Sequence, residues 1–304
     1  MAMESQPGRR GVLAGVATTA FTAVFPTGGR AFAQGTDGRG VAGRLRGLER
    51  AHSARLGIFA CDTVTGRTVT YRADELFPMC STVKTIAVAA VLRDLDRDGE
   101  FLAERIRYTE QDVTESGYAP VTGLPANLAA GMTVAGLCAA AIDHSDNTAA
   151  NLLLRGLGGP GAVTRFCRSV GDGVTRLDRW EPELNSAEPG RVTDTSSPRA
   201  IARTYARLVL GNALDPRDRE RLTGWLLAST TSGNRFRAGL PVQWTVADKT
   251  GTGSYGTTND VGVTWPPGRG PIVMAVLSTR RDAAAPADEP LVAAAAALLA
   301  AALG

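Results

Sequence analysis

Lysine is nearly absent from this 304-residue chain: of its 33 basic residues, only Lys84 and Lys249 are lysines. Arginine keeps its proton inside a protein and lysine can lose it, so only two positions offer an amine as a base. Histidine is as scarce, with His52 and His144 alone. Two separated histidines cannot build a zinc hydrolase site, and a histidine-based triad would have to use His144, next to Ser145. The four cysteines, Cys61, Cys80, Cys138 and Cys167, have no C-x-x-C spacing, which argues against a metal site and makes buried thiols the expectation. No G-x-S-x-G elbow and no P-loop occurs. Nothing repeats at a solenoid period, and past the N-terminus no apolar run is long enough to span a bilayer.

The N-terminus reads as a targeting segment. Arg9-Arg10, the apolar stretch from Gly11 and the Ala31-Phe32-Ala33 site form a signal peptide over residues 1–33, and the paired arginines point to twin-arginine export. No cysteine follows the apolar region, so a lipid anchor is not expected. Losing three arginines and one glutamate lowers the formal charge from +3 to +1. A nearly neutral mature chain argues against a nucleic-acid or membrane-surface partner.

Residues 34–42 read as a flexible linker and Gly43–Ala54 as a first amphipathic helix. Leu56–Thr63 and Thr68–Arg72 alternate like strands around a Thr65-Gly66 turn. From Ser81 to about Leu227 the spacing is mainly helical: Thr133–Ile142, Asn147–Leu154, Pro198–Leu210 and Asp218–Leu227. Strand patterns return over Trp244–Thr250, Asn259–Trp265 and Ile272–Thr279. An Ala/Leu helix follows Asp288-Glu289-Pro290, a capped start with proline in its first turn. Strands at both ends around a helical middle imply one α/β part, residues 43–80 and 228–304, and an all-α part, 81–227, with a cleft between them. The Pro/Gly-rich stretch 176–194 is a long loop inside the helical part, and such loops are often functional.

Four short motifs carry chemistry. Ser81 and Lys84, three apart at the head of an apolar run, share a helix face, so hydroxyl and amine can meet; a desolvated lysine can serve as the base for a serine nucleophile. Ser145-Asp146-Asn147 sits between two helical patterns, as a proton-relaying hydroxyl with an amide or as a plain N-cap. In Arg179–Asn185, Glu181 and Asn185 could hold a water for general-base hydrolysis, or belong to a solvated acidic loop. Lys249-Thr250-Gly251-Thr252 ends a strand with a cation, two hydroxyls and a glycine that lets a ligand approach. The G-x-G-x-x-G at Gly251–Gly256 runs from strand to strand, so it reads as a hairpin and not a dinucleotide loop.

In this order the motifs S-x-x-K, S-D-N, E-P-E-L-N and K-T-G resemble the class A serine β-lactamases, from about Gly43 to the C-terminus. The first, second and fourth are shared with penicillin-binding proteins; the glutamate loop singles out class A. The resemblance implies an α/β (α+β) fold: a five-stranded antiparallel sheet flanked by N- and C-terminal helices, beside an all-helical domain. It implies Ser81 as acylating nucleophile, Lys84 as its partner in proton transfer, and Ser145 as donor to the β-lactam nitrogen. Glu181 with Asn185 would hold the deacylating water. Asn147 would bond the substrate's acylamino group, and Lys249, Thr250, Gly251 and Thr252 its carboxylate. The backbone N–H groups of Ser81 and Thr252 would form the oxyanion hole, Tyr118 an aromatic gate, and Arg179 with Asp194 the ion pair closing the loop.

The sequence departs from the family pattern in two respects. The usual carboxylate-binding arginine after K-T-G is Thr258 here, and Arg235 would supply that charge, as in actinobacterial members. Cys138 faces Val88 at its family partner position, and Cys80 faces Gly253, so neither family disulfide is expected. The implied protein is a secreted monomer without a cofactor or metal that hydrolyses penicillins and cephalosporins and confers resistance. The rival readings are a D,D-peptidase, which would acylate and stall, and a β-lactam sensor without turnover.

Overall fold

The computed structural model describes residues 36–304. The signal peptide expected over 1–33 lies outside them. Helix α1, Thr36–Ala51, begins where a linker over 34–42 was expected, and ends before His52 instead of running to Ala54. Four glycines within it each cost about 1 kcal/mol relative to alanine. Buried Val41 and Leu45 offset this at about 1.5–3 kcal/mol each, together with the rest of the apolar face. Packing overrides composition there.

Five strands form one antiparallel sheet: β1 (Arg55–Asp62), β2 (Thr68–Tyr71), β3 (Thr245–Gly253), β4 (Thr257–Trp265) and β5 (Ile272–Thr279), in the order β2-β1-β5-β4-β3. The β1–β2 turn is closed by Asp62 Oδ1, which accepts from Val64 N (2.9 Å) and Thr65 N (3.0 Å). The β3–β4 turn places Tyr255 and Gly256 in the left-handed region (φ 58° and 55°), and the G-x-G-x-x-G stretch is a hairpin as expected. The period of two sorts side chains to opposite faces. Leu56, Ile58 and Ala60 of β1 pack with Val41, Leu45 and the C-terminal helix α8 (Glu289–Leu303). Phe59 of β1 and Val261, Val263 and Ala275 face a larger core that includes the helices.

On that second side lie α2 (Lys84–Asp94), α3 (Val134–Asp143), α4 (Asn147–Gly156), α5 (Gly161–Ser169), α6 (Pro198–Val209) and α7 (Pro216–Leu227). Residues Lys84–Leu92 are all buried, so α2 is the central helix that its continuous apolar run implies. α8 starts as expected, with Asp288 Oδ1 accepting from Leu291 N at 3.1 Å. Edge strand β3 packs against the turn that precedes α2. There a Cβ on Gly251 would lie 2.7 Å from Met79 O, so only glycine allows this approach. No helix among the described residues is long and apolar enough to cross a membrane.

Candidate active site

Ser81 lies in a 3₁₀ turn, Cys80–Val83, and the α-helix begins at Lys84. Cys80 enters this turn with φ 49°, a left-handed conformation that costs free energy and is held from outside. Asn259 Nδ2 of β4 donates to Pro78 O (2.8 Å) and Met79 O (3.0 Å), and the Tyr205 hydroxyl of α6 donates to Thr82 O (2.6 Å). The Ser81 turn is thus pinned between the sheet and α6.

The Ser81 hydroxyl and the Lys84 amine meet through a third group. Ser81 Oγ donates to Glu181 Oε1 at 3.3 Å, and Lys84 Nζ lies 3.0 Å from the same oxygen. Lys84 Nζ also donates to Asn147 Oδ1 (2.6 Å) and Ser145 O (2.8 Å), with Ser145 Oγ at 3.4 Å. These three short contacts match the three donors of an ammonium. Ser145 has φ 60°, and Asp146 is the N-cap of α4 through Ala149 N (2.9 Å). Asp146 also accepts from Val121 N (3.0 Å) and Thr122 N (2.9 Å). The capping and functional readings of this triplet are therefore compatible. Asn147 Nδ2 donates to Ser116 O (2.9 Å) and Asn147 N to Tyr118 O (2.8 Å), leaving one amide hydrogen of Asn147 for a ligand. The Tyr118 side chain is exposed.

Glu181 is buried and sits in a loop tied at several points. Arg179 Nε pairs with Asp194 Oδ2 at 2.5 Å, and Asp194 Oδ1 accepts from Asp178 N (2.8 Å) and Arg179 N (3.0 Å). This is the expected closing pair. Asn185 Nδ2 donates to Glu181 Oε2, while buried Asn185 Oδ1 accepts no bond. The Glu181–Pro182 peptide bond is cis. Asn185 O accepts from Ser254 N at 2.9 Å, fastening the loop to the β3–β4 turn.

Edge strand β3 carries the remaining motif. Lys249 is fully buried and its Nζ donates to Thr250 O at 3.0 Å. Burial, then the charges of Lys84 and Arg235, pushes its ammonium well below the usual lysine range. Arg235 is 4% exposed: Nη1 donates to Gly251 O (3.0 Å) and Asn259 O (2.9 Å), and Nη2 to Thr252 Oγ1 (2.7 Å). Arg235 thus stands beside Thr252 as expected. The Thr258 hydroxyl donates to Gly256 O (2.9 Å) and accepts from Asp288 N (2.8 Å), contributing no charge.

Sequence reasoning missed the residues that hold the site. Asn151 is the clearest: its Oδ1 accepts from Glu181 N (3.0 Å) and its Nδ2 donates to Glu181 O (2.9 Å). It stands four residues after Asn147 on the same helix face, a polar spacing inside an apolar run that could have flagged it. Asn259 and Tyr205 gave no such signal. All four cysteines are free and buried. A Cβ on Gly253 would lie 2.7 Å from Cys80 Sγ, which places the family bridge position here without a second thiol.

A buried serine, lysine and carboxylate converge at the head of a core helix, facing an edge strand with an arginine, a set of groups able to perform serine acyl transfer. The profile of the family described as "Beta-lactamase enzyme family" matches residues 41–303. The chain is 68% identical to a beta-lactamase of Streptomyces lavendulae over 300 residues, covering 99% of this chain and 98% of the relative. It is 66% identical to one of Streptomyces fradiae, covering 98% of each. The solved beta-lactamase from Streptomyces albus G superposes with a TM-score of 0.87 at 68% identity, covering 87% of this chain and 100% of that one. A class A beta-lactamase from Mycobacterium abscessus gives 0.82 at 47%, covering 87% and 99%. The chain belongs to the class A serine β-lactamase family.

Proposed function

We propose that this enzyme hydrolyses the amide bond of the β-lactam ring through an acyl-enzyme on Ser81. The observation that carries the reading is the convergence of the Ser81 hydroxyl and the Lys84 ammonium on one oxygen of Glu181, with Asn185 on the other. Ser81 Oγ bonds to the ring carbonyl carbon as its proton leaves toward Glu181, with Lys84 stabilising the carboxylate. The C–N bond then breaks as Lys84 gives a proton through the Ser145 hydroxyl beside its Nζ to the nitrogen, and Glu181 passes the proton it took from Ser81 to Lys84 and is again a carboxylate. A water between Glu181 and Asn185 gives a proton to Glu181 as its oxygen bonds to the ester carbonyl carbon; the bond from that carbon to Ser81 Oγ then breaks and Glu181 returns the proton to Ser81 Oγ, releasing the ring-opened acid. Buried, unpartnered Asn185 Oδ1 is an acceptor for that water.

The backbone N–H groups of Ser81 and Thr252 stabilise the oxyanion; losing one such donor typically costs about 10²–10³ in rate. Asn147 and Tyr118 contact the substrate's acylamino side. Lys249, Thr250, Thr252 and Arg235 bind its carboxylate, with Gly251 allowing the strand to approach. Residues 1–33 direct export and are removed, and the mature chain, a sheet part and a helical part with the site between them, acts as a monomer without a cofactor. This activity confers resistance to β-lactam antibiotics.

The test is hydrolysis of a chromogenic cephalosporin with intact mass recorded during the reaction. Sustained turnover with a transient adduct, abolished in Ser81→Ala, is expected; Glu181→Ala should still acylate and then hold the adduct. A stable adduct on the parent enzyme would favour a D,D-peptidase or a sensor. Rapid turnover by Glu181→Ala would remove Glu181 from its role.

A further inference from the structure

Two threonine hydroxyls of the edge strand are hydrogen-bonded to groups inside the protein. Thr252 Oγ1 accepts from Arg235 Nη2 at 2.7 Å, so one of its lone pairs is used and its own proton is left for a ligand. Thr250 Oγ1 lies 2.6 Å from Thr231 Oγ1, and Thr231 Oγ1 lies 3.4 Å from Ser229 Oγ. Between two hydroxyls only one proton forms the bond. The hydroxyl that accepts keeps its own proton for another partner.

Thr231 is held in place by its neighbour. Thr230 N and Thr230 Oγ1 both donate to the Asp143 carbonyl, at 2.9 and 2.7 Å. Asp143 ends α3 two residues before Ser145. This tether therefore runs from the helical wall beside Ser145 to the edge strand at Thr250. Apart from Thr250 itself, it uses no residue of the four motifs.

We infer that Thr231 is a positioning residue for the anionic end of the substrate: it donates to Thr250, so that Thr250 turns its own proton toward the substrate carboxylate. A carboxylate accepts only, so its arrival selects one direction along Ser229, Thr231 and Thr250, and successive bonds of one direction reinforce each other. An uncharged ester at the same place also accepts, but more weakly, since bonds to ionised groups are roughly twice as strong. Thr231 thus contributes to discrimination in favour of free acids. The inference rests on the assignment of Lys249–Thr252 as the carboxylate site.

The experiment compares a penicillin free acid with its methyl ester on the parent, Thr231→Val and Thr231→Ser. Valine keeps the branched shape and removes the hydroxyl; serine restores it. The expected result for Thr231→Val is a KM for the acid raised about tenfold, with kcat within about twofold and the ester nearly unaffected, from the loss of one bond oriented toward a charged group. Thr231→Ser should recover most of the acid's KM. Equal losses on acid and ester, an unchanged KM, or no recovery with serine would overturn the inference. A parent enzyme that does not distinguish acid from ester would remove the carboxylate-site assignment itself, and the role of Thr231 with it.

Discussion

Asn151 tests the argument at a residue that no motif contains. Its side-chain amide bridges both backbone groups of Glu181, at 3.0 Å to N and 2.9 Å to O. Replacing it with leucine of similar size removes both bonds and offers nothing in return. Each buried backbone group left without a partner costs about 1–3 kcal/mol. Asn151 is only part-buried, so the lower half of that range applies, and the two groups together lose about 2–4 kcal/mol. With about 1.36 kcal/mol per factor of ten, the well-placed arrangement of Glu181 loses roughly 10²-fold in population. Displacement of a catalytic group by about 1 Å has a similar effect on rate. Asn151→Leu should therefore deacylate about 10²-fold more slowly and accumulate acyl-enzyme, seen by intact mass and by a burst in stopped-flow hydrolysis. Its melting temperature should fall by only several degrees, because α4 keeps its apolar contacts. A folded variant whose deacylation matches the parent would refute the clamp.

Three other predictions follow from separate contacts. Arg179→Gln should destabilise the protein by about 3 kcal/mol, since Asp194 is left as a buried carboxylate with only backbone partners; in a double-mutant cycle Asp194→Asn should recover much of the loss, and strict additivity would rule the pair out. Gly253→Ala would place a Cβ 2.6 Å from Asn185 O and 2.7 Å from Cys80 Sγ, so the loop must move, and deacylation should fall roughly tenfold or more by steady-state assay; unchanged kinetics would mean the loop yields freely. Burial pushes the Asp143 carboxyl up to about 6, partly countered by His144. Because the folded state holds this proton more tightly, ionising Asp143 costs stability that is absent near pH 4 and complete above about pH 6. The melting temperature of Asp143→Asn relative to the parent should then rise between about pH 4 and 7, by a modest amount since the group is only partly buried. A difference independent of pH would show that the carboxyl does not titrate there.

The order of the motifs was legible because each depends on local chemistry: a serine and a lysine one turn apart, a triplet that also caps a helix, a strand ending in hydroxyls and glycine. The fold class was legible because the period of two at both ends and the helical spacing between them survive in the pattern of apolar residues. The segment 34–42 was not, because Val41 and Leu45 earn their helix from partners on β1 and on α8, the latter more than 200 residues away, which composition does not record. Asn259 and Thr231 were not, because an isolated polar residue looks the same whether it faces water or a carbonyl.

By itself the sequence determined which groups could react, since it holds only two lysines and two histidines, and it determined the elements that carry them. The tertiary structure alone decided that the Ser81 hydroxyl and the Lys84 ammonium meet on Glu181, a hundred residues from Ser81. It also set contacts that the resemblance had only implied, the Arg235 guanidinium on Thr252 Oγ1 and the Cys80 thiol beside Gly253. Periodicity fixes the direction of a side chain relative to its own element. Distances between elements depend on how cores pack, and it is those distances, a few ångströms each, that set the chemistry.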